Sequence, residues 1–175
     1  MAPAGYAVGR YTAKIFIMIL TIHTIFGIIA LITGAWNLTT QKGTKRHRFV
    51  GWVYAISMFC LIGTSFSIFE LFGDFGPFHV MSLVSGVTIF LALYFPLRRN
   101  LYANWLEHHY MWITWSYVGL IMATGSHLFQ YGPAGWPFWT RAVLYWGLPC
   151  VIGATLIFGW RNTMLERFSN DNTAK

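Results

Sequence analysis

The chain has 175 residues, of which 56% are hydrophobic, 19% aromatic and only 10% charged. A soluble domain carries about a quarter of its residues as charged side chains, so this chain cannot cover a water-facing surface and needs lipid or partner protein as its solvent. The net charge of +7 does not point to nucleic acid, because the basic residues sit in short loops rather than on a basic domain.

Five runs free of Asp, Glu, Lys and Arg follow in chain order. The first lies between Lys14 and Lys42, the second between Arg48 and Glu70, and the third between Asp74 and Arg98. The fourth starts after Glu107 and reaches Thr140, but Tyr131-Gly132-Pro133-Ala134-Gly135-Trp136-Pro137 interrupts it. Gly and Pro at that density make a turn or an interfacial segment. The fifth runs from Ala142 to Trp160, where Pro149, with Gly147 nearby, predicts a kink. Crossing the hydrocarbon core takes about 20 helical residues. The predicted fold is therefore all-α: a polytopic transmembrane helical bundle of five spans, near 15–36, 49–71, 77–97, 107–129 and 140–160, in one domain covering 1–175. The runs do not alternate apolar and polar residues as barrel strands do, so their backbone must be satisfied within helices.

Lys and Arg set the expected orientation. Five spans put nine of them on one side: Lys42, Lys45, Arg46, Arg48, Arg98, Arg99, Arg161, Arg167 and Lys175. Arg10, Lys14 and Arg141 fall on the other. The expected location is the cell membrane, with the N-terminus outside and the C-terminus cytoplasmic. The first run is too long for the apolar core of a signal peptide and is kept as a span. Aromatics gather near the boundaries, among them Trp36, Trp52, Trp139 and Trp160, as in an interfacial belt. Cys60 and Cys150 both fall within spans, where thiols behave as small apolar residues. Connections are short, so sequential helices should pack antiparallel.

Six histidines carry the functional signal, because ionisable groups inside a membrane are costly and tend to be functional. His47, His109 and His108 map to the inner end. His79 and His127 map to the outer end, with His23 deeper, about 12 Å into the first span. His109 and His127 are five helical turns apart, so they share a face at a separation of about 27 Å, close to the hydrocarbon thickness. Two layers of imidazole on facing helices suit two haem groups, since haem iron takes axial imidazoles from both sides of the ring. The cofactor expectation is haem b, held through His47, His109, His79, His127 and His23, with His47, His109, His79 and His127 as the iron ligands. His127 is the expected partner of His79, being at matching depth.

Each histidine also has a plain structural reading. His47 sits in the basic run Lys45-Arg46-His47-Arg48, His79 can cap a helix start, and His23 can bond to another span. His108 can be solvated or paired with Glu107. Glu107, His108 and His109 cannot converge on one ion, because consecutive helical residues diverge by about 100°. Met58, Met81, Met111 and Met122 are alternative soft ligands, though methionine in a span is more often packing. A glycine follows one turn after both His23 and His47, at Gly27 and Gly51. Each leaves room beside an imidazole for a flat ligand or for another helix. Phosphate loops, nucleophile elbows and His-Glu-x-x-His motifs are absent from the sequence.

Several stretches carry a resemblance. Lys42-Gly43-Thr44-Lys45-Arg46-His47-Arg48-Phe49-Val50-Gly51-Trp52-Val53-Tyr54 resembles the basic His-Arg-x-x-Gly-x-x-Tyr/Trp signature of a widespread, mostly bacterial family of multi-pass membrane proteins whose domain has no assigned function. Ser65-Phe66 with Gly76-Pro77-Phe78-His79, and Arg98-Arg99-Asn100 with His109, Met111 and Tyr117, resemble its further signatures. The chain departs from that pattern at Tyr110 and at Ser126-His127. The two-layer arrangement of histidines also resembles cytochrome b561-type di-haem proteins, in plan and not in motif. The resemblance implies a membrane protein with His47, His79 and His109 at family-type positions, and supplies no reaction. The functional expectation is transmembrane electron transfer by an electron carrier or membrane oxidoreductase. The alternative is a cofactor-free membrane assembly or interaction subunit, or a small transporter. The expected partners are membrane lipids, together with an electron-transfer partner or a larger membrane complex.

Overall fold

A computed structural model describes the backbone over residues 4–68, 77–128 and 135–173, and side chains over 13–68, 79–128 and 135–167. All regular structure among these residues is helical. The helices are α1 (Ala4–Thr39), α2 (Lys45–Ser65), α3 (Pro77–Leu97), α4 (Trp105–Leu128), α5 (Phe138–Ala142) and α6 (Leu148–Thr173). A π-helical turn, Val143–Gly147, joins α5 to α6.

Local chemistry sets the ends. Gly43 adopts a φ of 76° to turn the chain after α1. Thr44 then caps α2, its hydroxyl accepting from the His47 N–H at 3.1 Å. This starts α2 ahead of the expected residue 49. At the far end α2 stops at Ser65, short of the expected residue 71. The Ser65 hydroxyl donates to the Ile62 carbonyl, and the Ser67 N–H bonds to the Thr64 carbonyl. Such short-range bonds compete with the helical ladder. Glu70 and Asp74 lie outside the described residues, as does most of the Gly-Pro turn before α5.

Pro149 has no N–H to donate to the Tyr145 carbonyl four residues back. The chain meets this with the π turn rather than a simple kink, the Leu148 N–H bonding to the Val143 carbonyl. α6 then continues beyond Trp160, the expected end of the last span.

Four of these helical segments are long and apolar enough to cross a membrane: Ala13–Thr39, Lys45–Ser65, His79–Leu97 and Phe138–Arg167. α4 is equally long but more polar, and it is the best covered helix. From Trp105 to Leu120 none of its residues is exposed. α1, α2, α3 and α4 pack as a ring of sequential neighbours, α1 closing on α4, and α6 packs on the outside of α4. Cross-links fix the antiparallel order. Thr64 of α2 meets His23 of α1, Ala92 of α3 meets His109 of α4, and Ile157 of α6 meets Tyr110 of α4. α2 and α4 therefore run parallel on opposite sides of the ring.

The core is Ala30, Tyr54, Ala55, Met58, Ile89, Ala92 and Leu120. Three of these are alanines, which let helix backbones approach where lipid supplies no hydrophobic drive. Met58 is fully buried among them, which assigns it to packing. Tyr54 bridges the ring, its hydroxyl 2.6 Å from the Ser116 hydroxyl. The Tyr117 hydroxyl donates to the Leu31 carbonyl at 3.1 Å, and the Tyr117 ring fills the space beside Gly34. Each such interhelical bond contributes about 0.6 kcal/mol in a membrane. Polar side chains on the lipid face satisfy themselves locally, as when the Thr24 and Thr155 hydroxyls donate to the Leu20 and Val151 carbonyls. Most large apolar side chains of α1, α3 and α6 face outward. Trp36, Trp52, Trp139 and Trp160 are all exposed. Cys60 and Cys150 are both free thiols.

Candidate functional site

The parallel pair α2 and α4 carries the polar residues at matched heights. His47 and Tyr54 are seven residues apart on α2, and His109 and Ser116 seven apart on α4. Seven residues is close to two turns, so each pair shares a face. The Tyr54–Ser116 bond therefore sets His47 and His109 at one level, two turns away. Consistent with this, His109 and Lys42 both lie within electrostatic reach of the His47 ring.

His109 is held tightly. Its Nδ1 lies 2.6 Å from the Ala92 carbonyl oxygen. A carbonyl only accepts, so Nδ1 carries the hydrogen, and the neutral ring keeps its lone pair on Nε2. This assignment follows from the hydrogen-bond network. The Nδ1 atom of His47 is buried and finds no hydrogen-bond partner among the described residues. Lys42 folds back over the end of α1, its ammonium donating to the Asn37 carbonyl and, at 2.9 Å, to the Leu38 carbonyl. Burial pushes the Lys42 ammonium below its ordinary pKa.

The second layer sits at the other end of the same two helices. His23 Nδ1 lies 3.0 Å from the Thr64 hydroxyl oxygen. The Thr64 hydroxyl spends its own hydrogen on the Cys60 carbonyl at 2.8 Å, so it accepts from His23. His23 is thereby also an Nδ1–H tautomer with its lone pair on Nε2. The His127 ring lies edge-on to His23, with centroids 5.8 Å apart. His23 thus belongs to this layer in company with His127. His79 is buried on α3 with its ring 6.0 Å from Phe66, two residues beyond Thr64. α4 supplies one histidine to each layer, about 27 Å apart along its axis.

Other residues separate from the site. Glu107 pairs with Arg161, not with His108. His108 bonds at 3.0 Å to the Asn104 carbonyl and packs on Phe95, with ring centroids 4.4 Å apart. Glu107, His108 and His109 point to three different partners, as helical geometry requires. Groups of three or more His, Cys, Asp or Glu that could hold a metal ion are absent among the described residues; His23 meets His127, and His47 faces His109. The glycine gaps are occupied by neighbouring helices. A Cβ on Gly27 would meet Leu61 at 3.5 Å, and one on Gly51 would meet the Asn37 amide at 3.3 Å. Sequence reasoning did not single out Thr64, Ala92 or Asn37. Thr64 and Ala92 orient the imidazoles through contacts 41 and 17 residues away in the chain, and residue type alone carries no sign of that.

A family model described as "Predicted membrane protein (DUF2306)" matches residues 20–147. That range contains all five histidines of the two layers. No curated protein matches the chain, and no solved structure does.

Proposed function

The chain belongs to this DUF2306 family of predicted membrane proteins, and on that premise we propose that it crosses the membrane five times and carries electrons between two b-type haem groups, one near each face. The observation that carries the reading is a repeated contact: in each layer one histidine, His109 or His23, sets Nδ1 against an accepting oxygen, the Ala92 carbonyl or the Thr64 hydroxyl, which leaves the Nε2 lone pair for a metal. Metal-ligating histidines are held in this way, by donating the other ring N–H to an oxygen. His47 beside His109, and His127 beside His23, supply the second imidazole. His79 lies at the outer end as an additional donor there. Haem, when bound between such imidazoles, supplies one-electron redox chemistry. The protein's part is to hold the ring nitrogens, exclude water with the α1–α4 ring, and keep the two sites apart along α4.

α4 is the fifth span in this reading. It has 24 residues, about 36 Å of helix, enough for the hydrocarbon core. Its polarity is covered from Trp105 to Leu120, where α1, α3 and α6 pack around it, while His127 beyond is exposed. Five spans place the basic loops in the cytoplasm of a cell-membrane protein, with the N-terminus outside. A cysteine introduced at Lys45 and one introduced at Gly135, each in a variant lacking Cys60 and Cys150, should be labelled from opposite sides of intact cells by an impermeant maleimide. Labelling of both from one side would remove the five-span topology.

The haem reading is tested by colour. Protein expressed with ample haem and purified in detergent should give a reduced-minus-oxidised spectrum of six-coordinate b-type haem. A featureless spectrum would favour the second reading, a cofactor-free assembly or interaction subunit or a small transporter. The occupied spaces beside Gly27 and Gly51 support that second reading, since helix packing alone explains both glycines.

A further inference from the structure

The inner end of the bundle holds more polar chemistry than an axial ligand pair requires. Three side-chain atoms there are buried and find no hydrogen-bond partner among the described residues: Asn37 Oδ1, Thr40 Oγ1 and His47 Nδ1. Buried polar atoms nearly always have partners, so each such atom asks for an explanation. The three residues belong to one short stretch, the end of α1, the Gly43 turn and the first turn of α2. Lys42 joins Asn37 to this group through the Asn37 backbone carbonyl, and interacts electrostatically with both His47 and His109. The Asn37 amide nitrogen is pressed against Gly51, one turn along α2 from His47.

We propose that Asn37, Thr40, Lys42 and His47 form a binding site for the oxygen-bearing headgroup of a quinone or quinol. The donor and acceptor types decide the class. Asn37 Oδ1 only accepts, so its partner must bring a hydrogen, which a carboxylate or a phosphodiester lacks. Lys42 donates to the Asn37 and Leu38 carbonyls and has a third N–H to give, which an acceptor oxygen on the same ligand would take. A quinol ring, whose hydroxyls both donate and accept, offers both. Its apolar body suits the approach from the bilayer, where Trp36, Phe49 and Trp52 are exposed around this end. Asn37, Thr40, Lys42 and His47 each keep part of their surface exposed, and Lys42 is the long, flexible side chain whose outward rotation opens the site. In the haem reading, on which this one clause rests, a ligand oxygen would also supply the acceptor that a metal-bound His47 needs at Nδ1.

The probe is a short-tailed ubiquinol analogue, kept reduced and titrated into the full-length protein in nanodiscs, followed by tryptophan fluorescence. Quenching should saturate. Asn37→Leu and Thr40→Val should each weaken binding about tenfold, the effect of losing one good hydrogen bond to a buried group. Thr155→Val, on α6, where the hydroxyl only bonds back to the Val151 carbonyl, should leave binding unchanged. Thermal melts of each variant show that it is folded. Quenching that never saturates, or saturates equally in folded Asn37→Leu, overturns the site, since the ring would then only be partitioning into lipid around the bundle. The titration is read on cofactor-free protein as well. Saturable binding with a featureless haem spectrum keeps this site and removes the haem reading; a haem spectrum without saturable binding does the reverse.

Discussion

His109→Ala should remove the inner haem and leave the outer one, cutting the b-type absorbance of the purified protein by about half. In the haem reading the imidazole of His109 would be the better-held ligand of its layer, since it lies 2.6 Å from the Ala92 carbonyl. Losing an axial imidazole leaves the iron open on one side and the ring loosely held. His127→Ala and His23→Ala should each remove the other half, because their rings meet at 5.8 Å and α4 keeps the two layers about 27 Å apart. Thr64→Val separates orientation from ligation. It keeps the shape and removes the oxygen that accepts from His23 Nδ1. The outer signal should persist with weakened haem retention, in the range of 10- to 100-fold typical of outer-shell partners. Haem content and spectrum after gel filtration measure all four variants. Equal loss of both signals in His109→Ala would mean that the layers are not separate sites, and unchanged spectra in all four would mean that these histidines bind no haem.

Gly125→Ala should be among the most destabilising single-methyl changes in the chain. A Cβ on Gly125 would lie 2.8 Å from the Tyr145 carbonyl oxygen and 3.1 Å from the Tyr145 Cβ. Backbone cannot swing aside as a side chain can, so α4 and the π turn must separate. Overpacking of this kind costs about 1–3 kcal/mol. The Trp146 indole, which donates to the Ser126 hydroxyl at 2.8 Å, would be strained by the same movement, and His127 next to it would shift relative to His23. Gly63→Ala and Gly86→Ala are the controls. Nothing lies within 4 Å of either new Cβ, and alanine in a helix is favoured over glycine by about 1 kcal/mol, so both should hold or raise the melting temperature. A Gly125→Ala protein that melts with these controls in detergent would show that α4 and the π turn are not in close contact.

Taken alone, the sequence determined that this is a helical membrane protein, because length, lack of charge and apolar runs act residue by residue and need no knowledge of packing. Residue spacing along α4 likewise determined that His109 and His127 share a face five turns apart, because a helix is a local, regular object. The boundaries of α2 were less legible. Thr44 capping His47 and Ser65 bonding back to Ile62 are choices among many hydroxyls in the chain, and competing local bonds decide them. Partnership was decided by tertiary structure. The contact of the His127 ring with His23 could not be read from depth along the helices, since the azimuth of each helix in the ring depends on how Ala30, Ala55 and Ala92 let the backbones close. The tautomers of His109 and His23 were equally out of reach, because they depend on a carbonyl of α3 and a hydroxyl of α2 brought up from distant parts of the chain. The covered position of α4 is the clearest case: only packing shows that none of its residues from Trp105 to Leu120 is exposed.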